Sequence, residues 1–508
     1  MTMTHPGLPE VWVYTILVCM GLLFTWGMLA PVVEKRSPSF NLSKIPLFGA
    51  LILWANRGPW FLLAFKVVIL AIFLLVVVAG IYGTPIAERN LATALTWNLW
   101  WAGLIVIIFF LGSAWCAVCP WDTLANWLVK RRLWKRAGPT ASLNLTVPKW
   151  MRNVIPALLM FIGLTWLELG VGVTTNPYAT ALLAVLMVVL ATISLAVFEK
   201  KAFCRYFCPV GRTIGFYSQL APVELRPIDP DTCANCTTLE CYHGTDNIDP
   251  CPTQLVMGTL KQNTYCTSCG NCSQSCPHQN ITWRLRSVAT EVVQMARPHW
   301  DEAWFMLGLM ALTTFHGITM MPFWESWMTD FAQVIGDSGQ LLSSFSLGLV
   351  ISMVIPMAFY GACIGLSHLL LPASKSYWHT FYSLAFVTIP LAFAYHLAHN
   401  LNRLIRETVG MLDLFLNPLG TDALPLSMME KHQRHFQSII SEETLHILQT
   451  GLMVLGFLIA IRVIRRRGLP LLGGVYAARW RIMPIYGFAI GITLLHVWLL
   501  AQPMVMRM

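Results

Sequence analysis

Charge is scarce in this chain of 508 residues. Lys, Arg, Asp and Glu make up 11% of it, against about 25% in an ordinary soluble protein. Mean hydropathy is +0.61. A water-soluble fold of this length needs more polar surface than that, and a disordered chain holds far less apolar mass than 56%. Acidic residues are the scarcer sign, 24 against 34 basic, which leaves a net charge of +10. The basic residues stand in short clusters between apolar runs, where they orient helices in a bilayer, so lipid and not nucleic acid is the expected partner. No Lys or Arg precedes the first apolar run, and no small-residue cleavage pattern follows it before Glu34. A spanning helix is therefore expected there in place of a signal peptide. Nor does a phosphate loop, an activated nucleophile or an acid–base pair stand out, so no residue is assigned a catalytic role and bond-making chemistry is not indicated.

A bilayer core about 30 Å thick takes roughly 20 apolar residues per helix. Ten stretches qualify: 11–33, 60–83, 93–115, 153–173, 178–198, 303–321, 343–370, 380–400, 443–461 and 482–501. Every second loop is basic. Lys35, Arg36, Lys44 and Arg57 follow the first stretch, and Lys130, Arg131, Arg132, Lys135 and Arg136 the third. Lys200, Lys201 and Arg205 follow the fifth, and Arg462, Arg465, Arg466 and Arg467 the ninth. The positive-inside rule puts these loops in the cytoplasm and both termini outside. Residues 202–297 differ, being polar and rich in Cys, Asn, Thr and Pro, and too long for a simple connection. The expected fold is an all-α polytopic membrane protein of about ten transmembrane helices with an inserted small α+β ferredoxin-like domain. Its parts would be a five-helix membrane domain (1–201), the cytoplasmic insert (202–297) and a second five-helix membrane domain (298–508).

Fourteen cysteines need an explanation. Cys19 and Cys363 are isolated in apolar runs and read as small buried hydrophobes. Among the rest, Cys266-Thr-Ser-Cys269-Gly-Asn-Cys272-Ser-Gln-Ser-Cys276-Pro277 fits the C-x2-C-x2-C-x3-C-P run of two-cluster ferredoxins, whose fourth cysteine serves the other cluster. Upstream lie Cys233, Cys236, Cys241 and Cys251 at irregular spacing. The ligand count closes with Cys233, Cys236, Cys241 and Cys276 on one [4Fe-4S] cluster and Cys251, Cys266, Cys269 and Cys272 on the other. A zinc ribbon over 233–251 is the competing reading. Two spans ending in Cys116-Ala-Val-Cys119-Pro120 and two ending in Cys204-Arg-Tyr-Phe-Cys208-Pro209 form a weak internal repeat. These four thiols are open to a third cluster, to copper or to dithiol chemistry.

CxxCP and CxxxCP motifs at the membrane edge, followed by a two-cluster module, resemble the membrane-bound polyferredoxins, the NapH/NosR/CcoG-like 4Fe-4S binding membrane proteins, over about 60–290. The resemblance implies a multi-pass protein of the bacterial cytoplasmic membrane with clusters on the cytoplasmic side. It also implies electron flow between the quinone pool or a cytoplasmic donor and a periplasmic or membrane redox protein. Its copper-reducing branch implies an alternative, a copper-handling assembly factor; a redox-sensing transporter is a further one. The sequence departs in having CxxCP first and a long apolar half after the insert. In that half His316, His396, His399, His446 and His496 fall in the outer parts of four helices. They are open to axial ligation of haem b, to copper, or to plain packing against neighbouring backbone. Glu168, Glu442 and Glu443, near the outer surface, could take protons from a quinol or simply end helices.

Overall fold

The computed structural model describes residues 4–31, 38–131, 140–371, 376–408, 410–437 and 439–505. Glu34, Lys35, Arg36, Arg132, Lys135 and Arg136 lie outside them. Among the described residues, eight helices are long and apolar enough to cross a membrane: Glu10–Leu29, Trp60–Tyr82, Leu91–Leu111, Pro177–Val197, Leu342–Leu370, Tyr377–Glu407, Glu442–Leu471 and Ala478–Ala501. A bent pair, Trp300–Thr319 and Pro322–Ile335, turns by 93° and makes a ninth if it is one span.

The expected ten thus become eight or nine. At 153–173 the apolar run forms only the short helix Ile155–Gly170, about 24 Å long at 1.5 Å per residue. It widens to a π-turn at Trp166–Gly170 and stops where Gly172 takes φ +79°. The bend after Thr319 follows from Pro322, which opens the next helix and has no N–H to continue the first. Thr4 pairs with Val505 and His5 with Met504, so the two ends of the described chain share one face.

The second half is built around Tyr377–Glu407, which is buried nearly throughout. Helices Trp300–Thr319, Glu442–Leu471 and Leu91–Leu111 all pack on it.

The insert is an α+β unit, but not a self-contained one. Its sheet is antiparallel, with Ile281–Arg286 between Val223–Pro227 and Ser39–Asn41. The last strand comes from before the second span. The helix Phe48–Arg57 also joins the domain, where Asn56 Nδ2 donates to the Ile281 carbonyl (3.3 Å) and Ser273 Oγ to the Asn56 carbonyl (3.1 Å). The boundary at 202 therefore leaves out part of the unit, because Ile281–Arg286 has two edges and the local chain covers only one.

A buried charge cluster ties this domain to the bundle. Arg226 meets Glu291 at 2.9 Å and Arg286 meets Glu224 at 2.9 Å, and Arg286 also bonds Glu291. Arg467, on the helix Glu442–Leu471, donates to the backbone carbonyls of Glu291 (3.2 Å) and Ala296 (3.0 Å). Burial alone would raise the Glu224 carboxyl, but Arg226, Arg286 and Arg284 hold it below the usual carboxylate range. Its contribution is complete at neutral pH and is lost as pH falls below about 4 through the depressed value. Glu291→Ala leaves Arg226 and Arg286 to share Glu224 as their one remaining buried carboxylate and is expected to cost about 3 kcal/mol. A lowered thermal midpoint of the detergent-solubilised protein is the measurement.

Candidate iron–sulfur sites

The cysteine-rich loop owes its tightness to backbone that most residues avoid. Ser268 takes φ +52° and Gly270 φ +78°, and the short helix Asn271–Ser275 begins directly after the glycine. Cys266 and Cys269 stand before this helix, Cys272 in it, and Cys276 at its end, where Pro277 follows. All fourteen cysteines are free thiols.

Asn280 joins two cysteines distant in sequence. Its backbone N–H donates to Cys276 Sγ (3.4 Å) and its side-chain amide to Cys233 Sγ (3.4 Å). Burial pushes the Cys233 and Cys241 thiols up, and charge on Cys276 and Cys236 adds to both shifts. The Cys236 thiol is lowered, chiefly by the Leu239 N–H. Cys233, Cys236, Cys241 and Cys276 are thus neighbours. Burial likewise lifts Cys266 to about 11 and Cys272 well above the usual thiol value, with Cys269 and Cys251 close to both. Cys251 Sγ accepts the Leu255 N–H at 3.3 Å. Cys272 also feels the charge of Cys241, so the two sets of cysteines lie side by side in one small domain.

The other four converge from two copies of one local plan. Leu91–Leu111 ends at Gly112 (φ +57°). Cys116 follows in the turn Ala114–Val118, and Cys119 N-caps the helix Pro120–Lys130 with proline at N1. In the second copy Cys204 lies in the π-turn Phe203–Phe207, and Cys208 N-caps Pro209–Tyr217, again with proline at N1. Cys208 Sγ accepts the Gly211 N–H at 3.2 Å. A helix N-terminus favours thiolate or any other anion, and two of them meet here. Burial pushes Cys119, Cys204 and Cys208 up to about 12 and Cys116 well above the usual thiol value, and each sulfur feels the charge of others in the set.

Two cations join this group to the insert. Lys201 pairs with Asp122 at 2.6 Å, and its backbone N–H donates to the Pro252 carbonyl (3.1 Å), next to Cys251. Burial would lower the Lys201 pKa, but Asp122 and the sulfurs of Cys204 and Cys269 raise it. Arg212 donates to the Thr264 carbonyl at 2.6 Å, two residues before Cys266, and lies 4.8 Å above the Tyr265 ring.

These residues fit iron–sulfur ligation. Each group offers four thiols, the soft donor set such clusters take. Backbone N–H groups already point at Cys208, Cys251 and Cys276. A Cβ on Gly211 would lie 3.3 Å from Cys208 Sγ, and one on Gly258 3.0 Å from the Cys233 Cβ, so side chains are kept clear of the sulfurs. Among the described residues no three Cys, His, Asp or Glu side chains are gathered for a single ion.

Two of the outer histidines touch each other. His316 Nδ1 and His399 Nε2 are 3.2 Å apart, which leaves no room for a macrocycle between them. His396 Nδ1 contacts the Tyr217 hydroxyl (3.2 Å), and His496 Nε2 contacts Thr314 Oγ1 (2.8 Å). His446 stands apart near Glu442 and Arg406. Haem b does not fit the His316–His399 pair, and no copper site is preassembled from these residues. Sequence reasoning missed Asn280, Lys201, Arg212 and Tyr217, whose roles come from long-range packing. The glycine two residues after Cys208-Pro209 was a readable signal.

Asn280→Ala removes the amide donor to Cys233. A cluster held there is expected to become harder to reduce, by a shift on the order of tens of millivolts, read by redox-poised EPR.

A family model described as a 4Fe-4S binding domain matches residues 93–137 and 180–221. These segments contain Cys116, Cys119, Cys204 and Cys208. The putative electron transport protein YccM of Escherichia coli is 26% identical over 232 residues, covering 41% of this chain and 60% of that protein. The alignment therefore spans less than two thirds of YccM. Two uncharacterised proteins of Methanocaldococcus jannaschii also match. MJ0750 is 23% identical over 191 residues (35% of this chain, 75% of the relative), and MJ0749 is 26% identical over 208 residues (40% and 76%). No solved structure matches. The chain contains a 4Fe-4S binding domain within a multi-helix membrane architecture and is a distant homologue of a putative electron transport protein.

Proposed function

We propose that the protein carries electrons between the cytoplasmic side and a redox partner in or across the membrane. Two [4Fe-4S] clusters would sit in the insert and a third in the group Cys116, Cys119, Cys204 and Cys208. The observation that carries this reading is the contact between the last two groups. The helix capped by Cys208 lies against Thr264, two residues from Cys266, and Lys201 stands within electrostatic reach of both Cys204 and Cys269. Bound clusters supply one-electron transfer with little structural change. The chain's own part is to hold the three groups next to one another. Asn280, Gly211 and Leu255 direct N–H groups at sulfur, and Arg212 and Lys201 place positive charge between the inner groups. Both features make a reduced, more negative centre easier to form. The basic loops support a cytoplasmic position for the insert, and the sequence relationship to a putative electron transport protein supports the role.

Protein purified without oxygen is expected to hold about twelve iron per chain, four for each cluster. The variant with Cys116, Cys119, Cys204 and Cys208 all changed to Ser is expected to keep about eight, with the remaining EPR signals intact. Zinc in the insert, or sulfurs oxidised to disulfides in native protein, defeats the electron-transfer reading. Copper at the four membrane-edge cysteines with iron elsewhere would support metal handling instead.

A further inference from the structure

A small polar cavity of about 50 Å³ lies where the membrane part meets the insert. Four cations line it, Arg152, Lys200, Lys201 and Arg205, against one carboxylate, Glu199. Pro252 and Gln254 supply the wall on the insert's side. The volume holds about four water-sized groups, as many as the oxygens of one phosphate. The cavity lies at the ends of two apolar helices. Arg152 comes three residues before Ile155–Gly170, and Glu199 and Lys200 come two and three residues after Pro177–Val197. Trp150, two residues before Arg152, is 75% exposed, as an aromatic at the membrane surface is. This is the level of lipid headgroups, where basic pockets between spanning helices take phosphates.

Three of the four cations keep donors to spare. Lys201 does not, because it pairs with Asp122 at 2.6 Å. Arg152 Nε donates to the Val147 carbonyl at 2.6 Å. Arg205 Nη1 donates to the Thr253 carbonyl and to Gln254 Oε1 (3.3 Å). Each guanidinium is thus held by one nitrogen. The Nη atoms of Arg152 and Nη2 of Arg205 bond nothing among the described residues and are not sealed from solvent, as Arg205 Nε is. Lys200 takes φ +55°, uncommon for a residue with a side chain. Its ammonium lies 4.7 Å above the Tyr242 ring, and no carboxylate pairs with it among the described residues. Glu199 opposes these three unspent charges with one. Two guanidinium groups and an ammonium with spare donors match an anion of several oxygens.

We propose that this cavity is a phosphate site, in which Arg152, Lys200 and Arg205 donate to the oxygens of one phosphate group, carried by an anionic phospholipid or free in solution. The site goes beyond the electron-transfer reading and does not depend on iron. Arg152 belongs to the membrane part, while Lys200 and Arg205 already lean on Tyr242, Thr253 and Gln254 of the insert. A bound phosphate therefore straps the insert to the bundle. It does so beside two of the cysteine groups, since Arg205 follows Cys204 and Pro252 follows Cys251 in the chain.

The test uses the full-length protein, purified without oxygen and stripped of lipid in dodecylmaltoside. Binding of radiolabelled inorganic phosphate and of radiolabelled phosphatidylglycerol is measured at equilibrium, each with the other as competitor, together with the thermal midpoint. Wild type is expected to bind one of them saturably and to gain in thermal midpoint when it does. Lys200→Gln removes a charge that forms no ion pair in the protein, and is expected to weaken binding about tenfold while iron content is kept. Arg205→Gln should weaken it at least as much. Glu199→Gln takes away the opposing carboxylate and is expected to tighten binding about threefold, a gain that misfolding cannot produce. Phosphatidylglycerol that yields only to a large excess of inorganic phosphate identifies a lipid site. Inorganic phosphate that the lipid does not displace identifies the free anion. No saturable binding of either, or binding that Lys200→Gln and Glu199→Gln both leave unchanged, overturns the site. Iron-free native protein that still binds phosphate defeats the electron-transfer reading alone.

Discussion

The helix Pro209–Tyr217 is buried along its whole length, and three parts of the molecule meet on it. Its first turn presents Cys208 with a backbone N–H on the sulfur. Arg212, one turn further, reaches the Thr264 carbonyl of the insert. At its end Phe216 stacks on Phe305 (4.9 Å) and the Tyr217 hydroxyl meets His396 of the second half. Close packing enforces the arrangement, because a Cβ at Gly215 would run into the Thr264 carbonyl oxygen. Cysteine group, insert and second bundle are positioned by one short element. Shifting it would disturb all three together.

The repeated Cys-Pro plan has a simple physical basis. Proline at N1 fixes φ and sacrifices only an N–H that the helix does not use. The preceding cysteine then occupies the N-cap, where the free N–H groups and the helix dipole favour negative charge. Two such turns facing each other suit four sulfurs that share an anionic centre. The uneven spacing, CxxCP against CxxxCP, is absorbed by the π-turn at Phe203–Phe207, which accommodates the additional residue before Cys208.

Local chemistry was the legible part of this chain. The cysteine run of 266–276 could be read because ligand spacing is set by loops of a few residues, and the structure folds it as one tight loop and a short helix. The apolar stretches were visible too. Their count was not, since hydropathy does not register the π-turn at Trp166 or the 93° turn at Pro322. Contacts between distant segments left no trace in a single sequence. His316 and His399 were noted as outer histidines, but nothing in their spacing said that they touch each other while His446 stands apart. Glu168 was open to two readings, a proton acceptor for a quinol or a helix-end carboxylate, and only the fold shows it buried between a cavity and an imidazole.

The strand Ser39–Asn41 has a consequence for how the iron-binding insert can be handled. It supplies the outer edge of a sheet whose other two strands lie some 180 and 240 residues further along the chain. The insert is not a cassette that can be lifted out and grafted elsewhere. Excised at its apparent borders, it would expose a row of bare amides and carbonyls, ready to recruit a stray β-strand from another molecule.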